Sequence, residues 1–348
     1  MKSRLRTFVG CGALLVALSG ALAAPVAVAQ CPAVGPQKES ERKFHPGHYV
    51  TIGRHELRSG VNVNAVLGEG VTGIQLRYRW SDLERDRDRY DFTQIRRDLD
   101  TVAKNKLQLV AVIEDKSFNG ELPTPAYLQG GQTLRGKRGY TAKRWDPAVV
   151  DRMNRLVAAL GAELDCHPNL EGIAFQETAL SLDDTVLHAN GYTPEAYRDA
   201  LQRQLRAATE GLPRSRVFWY MNFLPGQQEY LGEIAANLVG SGLVMGGPDI
   251  LPDNDALTRR AYPLYERFRG QMKLFGSMQP DSYRHQRKAA AAADDFWSME
   301  ELFVFARDKL HVDYVFWEYR AKRQPANSRD WAEAREVIAR HPSFRRDG

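Results

Sequence analysis

The sequence predicts a single-domain (β/α)8 barrel, and three observations carry that expectation. Eight short apolar runs, rich in β-branched and aromatic residues, alternate with longer amphipathic stretches after residue 44. No linker composition breaks the alternation, so residues 45–348 read as one domain. The rival arrangement, a doubly wound open sheet, lacks its nucleotide-binding signs: no GxGxxG follows a strand, and no GxxxxGK followed by Ser or Thr occurs.

The strands are expected at 49–53, 73–80, 107–113, 171–177, 216–223, 243–247, 274–278 and 312–318. Helices are expected at 92–104, 147–165, 194–211, 256–270, 299–310 and 330–340. In the second of these Val150, Met153, Leu156, Val157, Leu160 and Leu164 recur at three- and four-residue steps, one face of a helix. Asp146-Pro147 and Thr193-Pro194 each set a capping side chain before a first-turn proline. The first crossover, 54–72, is short and only weakly helical in pattern.

Of 348 residues, 43% are hydrophobic and 26% charged, which excludes a disordered chain, a collagen, a disulfide-dense mini-domain and a polytopic membrane protein. Lys2, Arg4 and Arg6 precede an apolar run from Phe8 to Ala23 and then small residues. That order predicts a secretory signal peptide over 1–29, cleaved after Ala27-Val28-Ala29, with an N-terminal tail over 30–44. Cleavage would take three bases from 48 Lys and Arg against 43 Asp and Glu, leaving +2. The mature chain therefore carries no bulk-charge argument for nucleic acid, and none for a membrane. The expected location is the periplasm or the outside of a bacterial cell. Cys31 and Cys166 remain after cleavage, and an oxidising compartment would permit one bridge between them.

A barrel puts its chemistry at the C-terminal ends of the strands. Those ends carry Arg77, Arg79 and Trp80; Gln176 and Glu177; Trp219, Tyr220 and Asn222; Asp249; Gln279, Asp281 and Tyr283; and Trp317 and Glu318. Carboxylates, amides and flat rings on one rim suit sugars. Rings stack on pyranose faces, amides bind hydroxyls, and two acids can cleave a glycosidic bond.

Trp80, Leu83-Glu84 and Tyr90-Asp91-Phe92 resemble the W-x-x-L-E…Y-D-F stretch after the second strand of clan A glycoside hydrolases. The likeness implies a (β/α)8 glycosidase with its acid/base at the end of strand four, where Glu177 stands, preceded by Gln176 in place of Asn. It implies a sugar-floor Trp at the end of strand eight, which Trp317 matches. It also implies a nucleophilic Glu at the end of strand seven, and here the sequence departs: Gln279, Pro280 and Asp281 occupy that place. Asp281 or Glu318 would then serve as nucleophile, or as base for a water. Arg77, Trp80, Gln176, Tyr220, Asn222, Asp249, Gln279, Tyr283 and Trp317 are expected to bind substrate. Strand alternation puts Glu318 and Trp317 on opposite faces, so both reach the site only if the backbone bends.

The resulting expectation is an exported hydrolase of a polysaccharide or oligosaccharide, working without cofactor. HExxH and GxSxG are absent, and His45, His48 and His55 do not suggest a metal site. A non-catalytic carbohydrate-binding barrel is the first alternative. A polysaccharide lyase is the second, favoured by the basic loop from Glu114 to Trp145 with Lys116, Arg135, Lys137, Arg138, Lys143 and Arg144.

Overall fold

A computed structural model describes residues 30–35, 37–53, 66–288, 295–320 and 329–343. The expected signal peptide, His55 and most of the first crossover lie outside them. Eight parallel strands close a barrel: β1 (Gly47–Thr51), β2 (Val71–Arg79), β3 (Gln108–Glu114), β4 (Leu170–Phe175), β5 (Arg216–Tyr220), β6 (Leu243–Gly247), β7 (Lys273–Met278) and β8 (Tyr314–Glu318). Each pairs with its sequence neighbours, and β8 closes on β1. All eight expected strands are present. The fold is a single-domain (β/α)8 barrel.

Side-chain alternation divides the core in two. Inward positions gather Tyr49, Val110, Val112, Ala174, Phe218, Tyr220, Val244, Phe275, Tyr314 and Phe316. Outward positions such as Val217, Trp219, Val315 and Trp317 join the larger apolar layer beneath the helices. Phe218, Phe275 and Phe316 meet edge-on with centroids 5.5–5.7 Å apart. Each such contact adds about 0.5–1.5 kcal/mol beyond area burial. Tyr49 lies so close to Gly73 that a Cβ there would sit 2.4 Å from its ring. The barrel is thus plugged, and a ligand must enter from an end.

The N-terminal end is shut. Residues 30–35 and 37–44, expected as a loose tail, are anchored there, and Cys31 is bridged to Cys166 with 5.4 Å between their Cα atoms. Lys43 Nζ donates to the carbonyls of Asp165, His167 and Leu170 and to Ser215 Oγ at 2.7–2.9 Å. Arg42 donates to the carbonyls of Thr209, Leu212 and Ser215. Inside that end, buried Glu171 accepts from Tyr314 Oη at 2.6 Å and pairs with His45 Nδ1 at 2.6 Å. Only the C-terminal mouth remains.

The helices stand close to expectation, at Thr93–Lys104, Pro147–Leu164, Pro194–Gly211, Met299–Asp308 and Arg329–Arg340. Asp146 and Thr193 cap theirs by accepting from Ala148 N at 2.9 Å and Ala196 N at 3.1 Å. The helix expected over 256–270 is two, Asp255–Arg260 and Tyr262–Phe268, because Pro263 lacks the N–H that would continue the first. The basic loop is an ordered lobe with a hairpin, Thr133–Arg135 against Tyr140–Ala142. Among the described residues no helix is long and apolar enough to cross a membrane.

Candidate active site

At the mouth the interior turns from apolar to polar. Gln75 lies at the centre of a hydrogen-bonded floor drawn from four strands. Thr51 Oγ1 donates to Gln75 Oε1 at 3.0 Å, and Gln75 Nε2 donates to Tyr220 Oη at 2.9 Å. Tyr220 is in turn 3.1 Å from Ser277 Oγ. Burial pushes the Tyr220 phenol up to about 12, so it stays neutral and works as a hydrogen-bonding floor. Above the floor opens a pocket walled by Arg77, Phe118, Gln176, Glu177, Gln279 and Glu318.

The β4 strand stops at Phe175, two residues earlier than expected, because the Gln176 side chain takes over the pairing. Its Oε1 accepts from the backbone N–H of Asp115 at 3.0 Å and of Lys116 at 2.8 Å. That pins Glu177 at the cavity wall. Lys116, 1% exposed, places Nζ 2.7 Å from Glu177 Oε1 and 2.7 Å from the Ala179 carbonyl. Burial lowers the affinity of Lys116 for its proton, while Glu177 opposes that shift. Behind it Arg144 forms a buried bidentate pair with Asp115 and donates to the Glu177 carbonyl at 2.5 Å.

Glu318 faces Glu177 from across the mouth, since β4 and β8 are opposite in the eight-strand ring. It is 7% exposed. Its Oε1 accepts from Arg320 Nε at 2.7 Å and lies 4.0 Å from Arg77 Nη2, whereas its buried Oε2 has no hydrogen-bond partner among the described residues. Burial works against the charge on Arg77, but Glu318 and Glu114 outweigh it and raise its proton affinity. Tyr283 does not line the cavity; its Oη donates to the Glu318 carbonyl at 3.1 Å and fixes the end of β8.

Asp249 follows β6. Burial, then the charges of Glu177, Asp281 and Glu318, push its carboxyl up to about 7. Asp281 itself is exposed in the turn Pro280–Tyr283 and is not brought to the cavity wall. Gln279 is at the wall, and its Nε2 donates to the Pro248 carbonyl at 3.0 Å. Asn222, expected to bind hydroxyls, is committed elsewhere. Its Oδ1 accepts from Ala179 N at 3.0 Å and Phe223 N at 2.7 Å, tying the loop after β4 to that after β5.

Both expected tryptophan platforms are corrected. Trp317 points out of the barrel, fully buried, and its Nε1 donates to His48 Nδ1 at 3.0 Å. Alternation along an unbent β8 decides this. Trp80 starts a helical turn, is also fully buried, and donates to Glu84 Oε2 at 2.9 Å. Glu84 in turn pairs with Arg152 on the helix Pro147–Leu164. The Trp80–Phe92 stretch is therefore a clasp between the β2 loop and that helix.

Sequence reasoning missed Gln75, Ser277 and Phe118. Gln75 was legible in principle, as a polar residue between Ile74 and Leu76 on the inward face of β2. Phe118 is 48% exposed on the rim, and no periodic signal marks it. Of the basic loop, Lys116 and Arg144 are buried and paired, and Lys137 meets Asp183 at 2.9 Å on the surface. Among the described residues no three His, Cys, Asp or Glu side chains converge as a metal-binding group.

No family model and no curated protein matches this chain. Solved structures do. The catalytic domain of a β-amylase from Paenibacillus polymyxa aligns over 85% of this chain and 98% of its own, with a TM-score of 0.56 and 10% identity. Xylanase 10B from Thermotoga petrophila aligns over 90% and 99%, at 0.52 and 10%. An exo-β-1,4-mannosidase from Opitutaceae bacterium strain TAV5 aligns over 88% of this chain, at 0.52 and 12%. In fold, the chain resembles the clan A glycoside hydrolases. At these identities the likeness is one of fold, and this chain spans 60% of the mannosidase. On that barrel the present mouth collects Glu114, Glu177 and Glu318, while β7 and its following loop put Ser277 and Gln279 at the cavity.

Proposed function

We propose that this protein is an exported glycoside hydrolase of a polysaccharide or oligosaccharide, with Glu177 and Glu318 as indispensable carboxylates. The observation that carries the reading is Glu318 Oε2: buried, without a partner among the described residues, on a carboxylate that lines an open cavity. A buried acceptor left unmade costs about 1–3 kcal/mol, and a sugar hydroxyl or an attacking water would satisfy it.

The neutral floor supports sugar hydroxyls, and Arg77 and Arg320 hold Glu318 by ion pairs. A carboxylate held at the cavity in this way could take a proton from water. Carboxyls on opposite strands favour the wider spacing of inverting enzymes, roughly 6.5–9.5 Å, over the 5–5.5 Å of retaining ones. The proton for the leaving oxygen then comes from the far side of the mouth, where Glu177 stands. The Cys31–Cys166 bridge fits export, because disulfides persist in oxidising compartments.

A binding-only barrel is the second reading, favoured by Gln279 where the resemblance implies a nucleophile. The test is a panel of neutral and acidic polysaccharides, read by mass spectrometry, with Glu177→Gln and Glu318→Gln in parallel. Cleavage by the parent, reduced at least ~10²-fold in each variant, is expected. Binding without cleavage would select the second reading, and products lighter by one water would reveal a lyase.

A further inference from the structure

We propose that the site binds an internal stretch of a polysaccharide and cuts it away from the chain ends, with the groove between the loops after β4 and β5 as a further sugar-binding subsite. The inference rests on the hydrolase reading and deepens it, by naming which part of a glycan the mouth accepts.

The central pocket does not end at its own walls. Thr51, Arg77, Phe118 and Glu318 line it, and the same four line a second depression that continues among the loops after β8, β1, β2 and β3. Phe118 marks the junction. The buried ammonium of Lys116 lies 4.7 Å from its ring centroid, and the ring is 48% exposed. A flat ring presented at that place suits the face of a pyranose.

On the other side a third depression opens between residues 179–181 after β4 and 223–229 after β5, with Arg260 from beyond β6. One cation joins it to the central pocket. Lys116 Nζ is 2.7 Å from Glu177 Oε1 and 2.7 Å from the Ala179 carbonyl oxygen, so this groove begins two hydrogen bonds from the carboxylate.

The order of the strands gives the direction of the path. Opposite in the ring, β4 and β8 divide the mouth into a half over β1, β2 and β3 and a half over β5, β6 and β7. The depression past Phe118 extends into the first half, and the groove beside Ala179 into the second. A chain laid from one to the other passes between Glu177 and Glu318, with sugars on both sides of the bond to be cut. A site for chain ends stops the sugar against a wall on one side. Here, among the described residues, the lining opens beyond the carboxylates on both.

The groove after β5 is fixed before any ligand arrives. Asn222 Oδ1 accepts from Ala179 N and Phe223 N and so clamps its two walls together. Gln228 Oε1 accepts from Leu224 N at 3.1 Å, its Nε2 donates to the Asn222 carbonyl at 2.8 Å, and Tyr192 Oη donates to the Pro225 carbonyl at 2.7 Å. In contrast, the side chains of Gln227 and Arg260 line the groove, are exposed, and make no hydrogen bond or ion pair among the described residues. A rigid wall with unspent donors binds hydroxyls at a low ordering cost.

The test takes the polysaccharide of the panel that the parent cleaves and follows its earliest products by mass spectrometry. A ladder of oligosaccharides is expected, and chemical blocking of both chain ends should leave the rate unchanged. Release of single end units, protection by the blocked ends, or cleavage of short oligosaccharides alone would overturn the proposal and leave the hydrolase reading intact. A parent that cleaves nothing in the panel would remove that reading first. Gln227→Ala and Arg260→Ala together are expected to raise KM on the polysaccharide by roughly tenfold, and by less on the shortest oligosaccharide cleaved. Equal effects on the two would strike the groove from the site. Without turnover, calorimetric titration of Glu318→Gln with oligosaccharides of growing length should show affinity rising with length, and an affinity already complete at the shortest would also overturn the proposal.

Discussion

Lys116 Nζ lies 2.7 Å from Glu177 Oε1, and the ammonium is buried while the carboxylate reaches the cavity. A residue that looked like part of a basic flap thus sits beneath the site, neutralising the carboxylate expected to do the chemistry. The same Nζ bonds the Ala179 carbonyl, so one cation sets both the charge and the chain path after β4.

Lys116→Met is therefore expected to cost stability and activity together. Removing one partner of a buried pair costs about 3–5 kcal/mol, and the partial exposure of Glu177 lowers that to about 2 kcal/mol. Urea unfolding would measure the first effect. Turnover of the folded fraction would measure the second, and an unchanged rate would remove Lys116 from the site.

Trp317→Phe and Trp80→Phe are expected to destabilise without touching affinity, since both indoles are fully buried outside the cavity. Losing a buried indole N–H bond and some volume costs about 1–3 kcal/mol. Phe118→Ala should do the reverse, raising KM with little change in melting temperature. Glycan-binding titrations beside thermal melts separate the two classes.

The stability effect of Asp249 has a definite sign. Its folded value is about 7 against an ordinary 3.8, so between those limits the folded chain holds a proton that the unfolded chain has lost. Stability contributed by that proton is complete below pH 4 and is lost as pH rises through 7. Asp249→Asn should therefore stabilise by about 2 kcal/mol at pH 8, after discounting for solvent, and by nothing at pH 3.5. Denaturant curves at the two pH values check this.

Cys166→Ser opens a covalent loop of 135 residues and frees the segment that seals the N-terminal end. Chain entropy puts the loss at about 4 kcal/mol, roughly 8 °C in melting temperature for a domain this size. Calorimetry of the variant would show it. Activity at low temperature should persist, because the mouth is at the other end.

The barrel was legible because period-two and period-3.6 patterns depend on local side-chain direction, which the chain order carries. Strand count, strand order and the caps at Asp146 and Thr193 followed from that alone. The site was half legible. Glu177 and Glu318 stand at the cavity because they lie at the ends of inward-facing runs. Trp80, Trp317 and Asn222 do not, because residue type says nothing about which side of a strand end the chain turns toward.

By itself, the sequence determined the alternation that closes the barrel and the set of carboxyls carried to its rim. Only the tertiary structure decided which carboxyl meets a cation. Lys116 comes from the loop after β3, Arg77 from β2 and Arg320 from beyond β8, and each reaches its carboxylate across strands far apart in the chain. Asp249 is left among anions for the same reason. Charge interactions act through space over a few ångströms, and only the closed barrel sets those distances.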